Sequence, residues 1–143
     1  MSEENKAVVH RFYEALDQKH YDIYEELCTP DFVSHFPGSA EPQNRDMRKH
    51  TSRIFYEAFP DLVHIIDHII AESDTVAFRG SARGTHEGVF QNLQPTEKTI
   101  TFDLTRFYHM VDGKIAEEWV SADLLGLMRQ LGMKLVAEKD IEF

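Results

Sequence analysis

Asp112-Gly113 is the tightest constraint in this chain. The pair separates two runs, residues 99–111 (TITFDLTRFYHMV) and 114–123 (KIAEEWVSAD), that both alternate apolar and polar side chains. Asp-Gly suits a two-residue turn that needs φ > 0 at both positions, and that turn joins antiparallel strands. Pairing outward sets Val111 against Lys114, Tyr108 against Glu117, Arg106 against Trp119, Leu104 against Ser121 and Phe102 against Asp123. Cross-strand partners share a face. One face then carries Phe102, Leu104, Arg106, Tyr108, Trp119, Ser121 and Asp123. The other carries Thr105, Phe107, His109, Ala116, Glu118, Val120 and Ala122. A β-bulge would swap the faces and bring His109 in.

The rest of the chain supplies helices, then more strand. Residues 3–18 have Val8, Phe12, Ala15 and Leu16 at helical spacing. A short helix follows at 21–28 and stops at Pro30. Residues 31–36 alternate as a strand, with Phe32, Ser34 and Phe36 on one side and Val33 and His35 on the other. Residues 44–59 form a third helix, with Asn44 as N-cap and Met47, Ile54, Phe55, Ala58 and Phe59 as its apolar stripe. Strands then run over 62–72 and 75–88, before the final hairpin and a short helix from 123 to 132. This order implies an α+β fold, with helices gathered on one side of a mostly antiparallel sheet. The 143 residues suit a single domain, with 133–143 as a patternless tail.

Charge and composition narrow the partners. Net charge is −10, from 25 acidic and 15 basic residues. That opposes binding to nucleic acid, where affinity comes from neutralising phosphates, and to anionic membranes. No apolar run nears the roughly 20 residues that span a bilayer. The N-terminus lacks a signal-peptide pattern, and the sole cysteine, Cys28, excludes an internal disulfide. The expectation is a cytoplasmic protein whose partner is a small, hydrophobic molecule.

Motifs for phosphate, dinucleotide or nucleophilic-serine sites are missing. His64 and His68 have a metal-like spacing, but on a strand their Cα atoms lie about 13 Å apart. Neither a metal nor a cofactor is expected, and these two read as partly exposed strand histidines. The hairpin is more informative. Its first face joins large apolar walls to one cation, Arg106, and one acid, Asp123, as a ligand pocket does. Trp119, Tyr108, Phe102 and Ser121 complete the binding surface. Asp123 also opens a helix, where aspartate is a favoured N-cap.

In order along residues 5–132, the segments NKAVVHRFYEAL, PDFVSH, AFPDLVHIIDHIIAESDTVAFRGSARGTHEG, QPTEKTITF and DGKIAEEWVSADLLGLMRQLG resemble the SnoaL-like polyketide cyclases of the nuclear transport factor two-like superfamily. The resemblance implies a cone: a curved sheet wrapped around helices, with a central pocket. It implies general acid/base catalysis of an intramolecular aldol closure by Asp123, through W-x-x-x-D, with His35 lining the pocket and His109 assisting. It also implies a homodimer formed through the outer sheet face, where Phe107 and Val120 are expected. Two positions depart from the family pattern: Glu97 stands where a glycine is usual, and Gly80 follows Arg79 where a bulky aromatic is usual.

Three functions follow as expectations. The first is proton transfer on a carbonyl compound, with Asp123 as base and Arg106 or His35 holding the enolate oxygen. The second is an epoxide or ester hydrolase, or an isomerase, in the same pocket; hydrolysis needs a second acid beside Asp123. The third is a non-catalytic ligand-binding or dimerisation module, favoured by a shallow or filled pocket.

Overall fold

The computed structural model describes residues 2–137. Helix α1 (Ser2–Asp17) buries Val9, Phe12, Tyr13 and Leu16 on one face, the spacing of a single helical stripe. The short α2 (Ile23–Leu27) leads directly into β1 (Cys28–His35). Strand β2 (Gln43–Asn44) precedes α3 (Arg45–Ala58), whose N-cap Asn44 accepts a hydrogen bond from the Met47 N–H at 2.9 Å. Four long strands follow: β3 (Val63–Glu72), β4 (Thr75–Thr85), β5 (Thr99–Val111) and β6 (Lys114–Ala122). The short α4 (Leu124–Gln130), about two turns, is the last element of the described chain. The expected tail has no regular structure over 133–137, and 138–143 lie outside the described residues.

The fold is α+β. The six strands form one curved, unclosed sheet in the order β2-β1-β6-β5-β4-β3, with the N-terminal helices against its inner face. All pairings are antiparallel except β1 with β6. Strand β1 starts earlier than the sequence suggests and passes through Pro30. Its register with β6 shifts between Cys28 and Val33, which accommodates a residue without an N–H.

The final hairpin turns as expected, with Asp112 at φ 50° and Gly113 at φ 77°. Its register does not follow. His109 pairs with Glu117, but Met110 pairs with Ile115, leaving Ala116 as an extra residue on β6. This bulge flips every later β6 side chain relative to β5. Tyr108 therefore faces Glu118, Arg106 faces Val120 and Leu104 faces Ala122. The expected partners of β5, Glu117, Trp119 and Ser121, turn to the outer surface. His109 stays outside as well, because the extra residue lies on β6 and the phase of β5 is unchanged.

A second bulge places Asp67 between Ile66↔Gly80 and His68↔Arg79. It carries His64 and Ile66 to the inner side and His68 to the outer. Gly80 fits beneath this strand: a Cβ there would lie 1.9 Å from the Ile65 carbonyl oxygen, so the aromatic that is usual in the family has no room. Glu97 adopts φ 61°, the left-handed conformation that favours the glycine usual at that position.

The core contains a charged centre. Glu118 is 1% exposed, Arg48 3% and Arg106 5%. The Arg48 Nε–H donates to Glu118 Oε1 at 2.8 Å, and the Ser34 hydroxyl donates to the same oxygen at 2.7 Å. The Arg48 Nη1 also donates to Ser52 Oγ at 2.9 Å. Tyr13 hydrogen-bonds to Arg106 and to Tyr108. The apolar stripe expected on α3 is thus displaced: its inner face is Arg48, Ser52, Tyr56 and Ala58, while Met47 and Ile54 are exposed.

Burial pushes the Glu118 carboxyl up, but Arg48, Arg106 and the Ser34 hydroxyl outweigh it and hold its pKa below the ordinary 4.5. The unfolded chain therefore takes up this proton first. Glu118 contributes stability above pH 4.5 that is lost as pH falls below it, and urea midpoints measured from pH 7 to pH 3 should drop over that window. Glu118→Gln should cost about 3–5 kcal/mol by leaving buried cations uncompensated, and Glu118→Met with Arg48→Met should recover much of that. Denaturant titration of the three proteins checks both.

Candidate functional site

A narrow, partly open cavity lies between α1, α3 and the inner face of β5 and β6. Its polar wall is Tyr13, Arg48, Ser52, Tyr56, His64 and Arg106; its apolar wall includes Leu16, Phe36, Phe55, Phe102 and Leu124. It holds about 30 Å³ of water-accessible space, room for about two waters. Next to it runs an open groove of about 460 Å³, formed by the 36–42 loop and the end of β6, and the two share Phe36 and Ala122. The half-buried Phe36 ring lies beneath the Arg48 guanidinium, 4.7 Å from Cζ to centroid. Phe36 thus forms the partition between groove and cavity.

Arg106 is the most exposed to chemistry of the buried cations. Its Nη1 donates to the Tyr13 hydroxyl, while its buried Nε has no hydrogen-bond partner among the described residues. Its guanidinium also sits 5.1 Å from the Tyr13 ring centroid. Burial raises the pKa of Tyr13, as it does that of Tyr108, so both phenols remain hydrogen-bond donors. A ligand oxygen in this cavity would meet two guanidinium groups and a phenol.

A second polar group was read from sequence as a partly exposed histidine. The His64 side chain is only 7% exposed. Its Nδ1 lies 2.8 Å from Asp17 Oδ1, and its backbone N–H donates to Asp17 Oδ2 at 2.9 Å. The Tyr56 hydroxyl donates to Asp17 Oδ1 at 2.7 Å. The Tyr13 ring packs 4.8 Å from the imidazole. Asp17 ends α1 and His64 begins β3, so the pair ties helix to sheet. The sequence signals for this site were an acid closing an amphipathic helix and a histidine in a run of isoleucines.

The residues singled out from sequence separate into two groups. Arg106, Tyr108 and Phe102 face inward on β5, and Arg106 and Phe102 line the cavity. Trp119 is 43% exposed on the outer face, stacked on His35 at 5.4 Å. His35 also bonds Glu117 Oε2 at 2.6 Å, so His35, Trp119 and Glu117 form an outer cluster at the groove. Ser121 is exposed, and His109 pairs with Asp74 on the surface at 2.9 Å. Asp123 is exposed and caps α4, accepting from the Gly126 N–H at 2.8 Å. It does not line the cavity, although its neighbours Ala122 and Leu124 do. Val120, expected outside, is 8% exposed and faces in. All of these displacements on β6 follow from the bulge at Ala116.

Among the described residues no carboxylate lines the cavity, so they do not supply the two-acid arrangement that hydrolysis needs there; Asp67 and Asp103 are both exposed. Among the described residues, no three His, Cys, Asp or Glu side chains gather as metal ligands. No described helix is long and apolar enough to cross a membrane.

The family profile of SnoaL-like polyketide cyclases matches residues 7–131. No curated protein matches the chain. Among solved structures, IdmH from Streptomyces antibioticus, a polyketide cyclase candidate, is 28% identical, with a TM-score of 0.81 over 90% of this chain and 99% of its own. AclR from Streptomyces galilaeus, a hydroxylase candidate, is 27% identical, with a TM-score of 0.85 over 92% and 98%. A SnoaL-like protein from Jannaschia, 21% identical, shares the fold with a TM-score of 0.85 over 94% and 96%.

The cap at Asp123 generates a stability prediction. Asp123→Ala should cost about 1 kcal/mol, and Asp123→Asn, which keeps the acceptor, only a few tenths. Urea unfolding of both variants measures the difference.

Proposed function

Because the chain belongs to the SnoaL-like polyketide cyclase family, we propose that it binds a small, mostly apolar carbonyl compound in the cavity between helices and sheet and transfers a proton on it. The observation that carries this reading is Arg106: a buried guanidinium at the cavity wall whose Nε lacks a partner among the described residues, beside the Tyr13 phenol. Removing a proton α to a carbonyl puts negative charge on the carbonyl oxygen. Fixed donors aimed at that oxygen, out of water, stabilise the enolate more than the neutral ketone. Phe102, Phe55 and Leu16 supply the apolar walls. In a cyclisation, the enolate carbon then attacks a second carbonyl of the same molecule.

At about 30 Å³ the cavity is too small for such a ligand, so binding requires Phe36 to swing away from Arg48 and join the cavity to the outer groove. Asp123 is the alternative proton-transfer group that the family pattern supplies; it would act on a ligand that parts Ala122 from Leu124. The small cavity favours a second reading, a non-catalytic module. Its expected homodimer surface is the outer sheet face, where Ile65, Phe107 and Trp119 are each more than two-fifths exposed.

2-Tetralone in D₂O tests the first reading, with α-hydrogen exchange followed by proton NMR. The protein should accelerate exchange above buffer, and Arg106→Met should lower the rate by about 100-fold. No acceleration, or full activity in Arg106→Met, contradicts it. Asp123→Asn should leave the rate nearly unchanged, whereas a loss like that of Arg106→Met would assign proton transfer to Asp123. For the second reading, sedimentation equilibrium should give a dimer that Phe107→Lys with Trp119→Lys converts to a monomer.

A further inference from the structure

We infer that His64 is the base that serves this cavity, with Asp17 as its positioning residue and the cleft between α1 and β3 as its route to solvent. The inference deepens the reading above and rests on the cavity being the ligand site.

The tautomer follows from the partners. A carboxylate accepts only, so the Nδ1 atom that contacts Asp17 must carry the proton. In the neutral ring, Nε2 then holds a lone pair, and no hydrogen bond to Nε2 is made among the described residues. Asp17 is fixed in turn by the Tyr56 hydroxyl and the His64 backbone N–H. Burial holds the Tyr56 phenol far above its usual pKa, so it remains a donor to Asp17. The imidazole is thus clamped in the orientation and tautomer that a base needs.

The ring also stands at a boundary. His64 and Tyr13 line the cavity, and both line a separate surface cleft of about 210 Å³ with His10, Glu14 and Asp17. A proton taken up inside therefore has a short path to water that does not cross the cavity. The groups facing His64 are His10, Tyr13, Glu14 and Asp17 from α1, Tyr56 and Arg48 from α3, and Arg106 from β5. Burial, together with Arg106 and Arg48, lowers the His64 pKa from its ordinary 6.5 despite Asp17, which pulls the other way. The ring is the free base at neutral pH.

The step balances within the protein. The substrate C–H bond breaks, its proton goes to Nε2, and its electron pair moves onto the carbonyl oxygen as an enolate held by Arg106 and Tyr13. The enolate carbon then takes the proton back, or attacks a carbonyl whose oxygen receives it.

The test again uses 2-tetralone. His64→Gln should lose at least 100-fold in α-exchange while its affinity for 2-tetralone, by calorimetry, stays within about threefold. Wild-type exchange should hold through pH 6.5 and fall only at lower pH, as His64 protonates. Asp17→Asn removes the group favouring imidazolium, so its acid limb should move to still lower pH, which a merely structural role would not do. Nitrogen-15 NMR of the wild-type protein at pH 7 should show Nδ1 protonated and Nε2 bare, independent of any variant's folding. Wild-type exchange in His64→Gln, or an Nε2-protonated ring, overturns the inference and leaves the cavity reading standing. Absence of exchange by the wild type overturns both.

Discussion

One buried carboxylate, bonded to one guanidinium and in the field of a second, fixes the interior of this protein. Glu118 on β6 draws in Arg48 from α3 and lies within the field of Arg106 on β5. A buried ion cluster adds little net stability, because desolvation consumes most of the Coulomb gain. It does impose geometry: the helix, the hairpin and β1, through Ser34, must meet at one point. Two guanidinium groups line the cavity with no carboxylate of the described residues beside them in its wall, in a chain of net charge −10. That local charge is the chemical character of the site, and the bulk composition gives no hint of it.

The same cluster explains which parts of the site were legible in the sequence. The alternation of β5 is uninterrupted from Ile100 to Met110, so Arg106, Tyr108 and Phe102 could be placed inside from their spacing. Strand β6 could not, because one extra residue at Ala116 reverses every side chain after it, and nothing in KIAEEWVSAD marks Ala116 as a bulge. The adjacent acids Glu117 and Glu118 held a clue: one of them had to face the core, and a buried acid needs cations. Arg48 on α3 answers that need, and Ser52 one turn on holds its guanidinium, but a search for apolar stripes passes over both. The fold survives these misplacements, because helix order, strand order and the Asp-Gly turn determine it without the register.

His64 was hidden by the same kind of irregularity. The bulge at Asp67 puts His64 and His68 on opposite faces, and only the inward one meets Asp17. That contact joins residues 47 positions apart, a distance over which local periodicity carries no information. Once formed, the arrangement divides the proposed chemistry. Arg106 and Tyr13 would stabilise charge on oxygen and His64 would handle the proton, while Tyr13 packs against both. Phe36 stands between cavity and groove, so its displacement is what would admit a ligand to these groups. The outer cluster of His35, Glu117 and Trp119 borders that groove, where a ligand would enter.

A crystal structure with 2-naphthol, which resembles the enol of 2-tetralone, is the most direct test of a ligand site at Arg106. The naphthol oxygen should lie within hydrogen-bonding distance of Arg106 and the Tyr13 hydroxyl, its ring beside His64, with Phe36 displaced toward the groove. A naphthol bound on the outer face against Trp119, with Phe36 still in place, would contradict it.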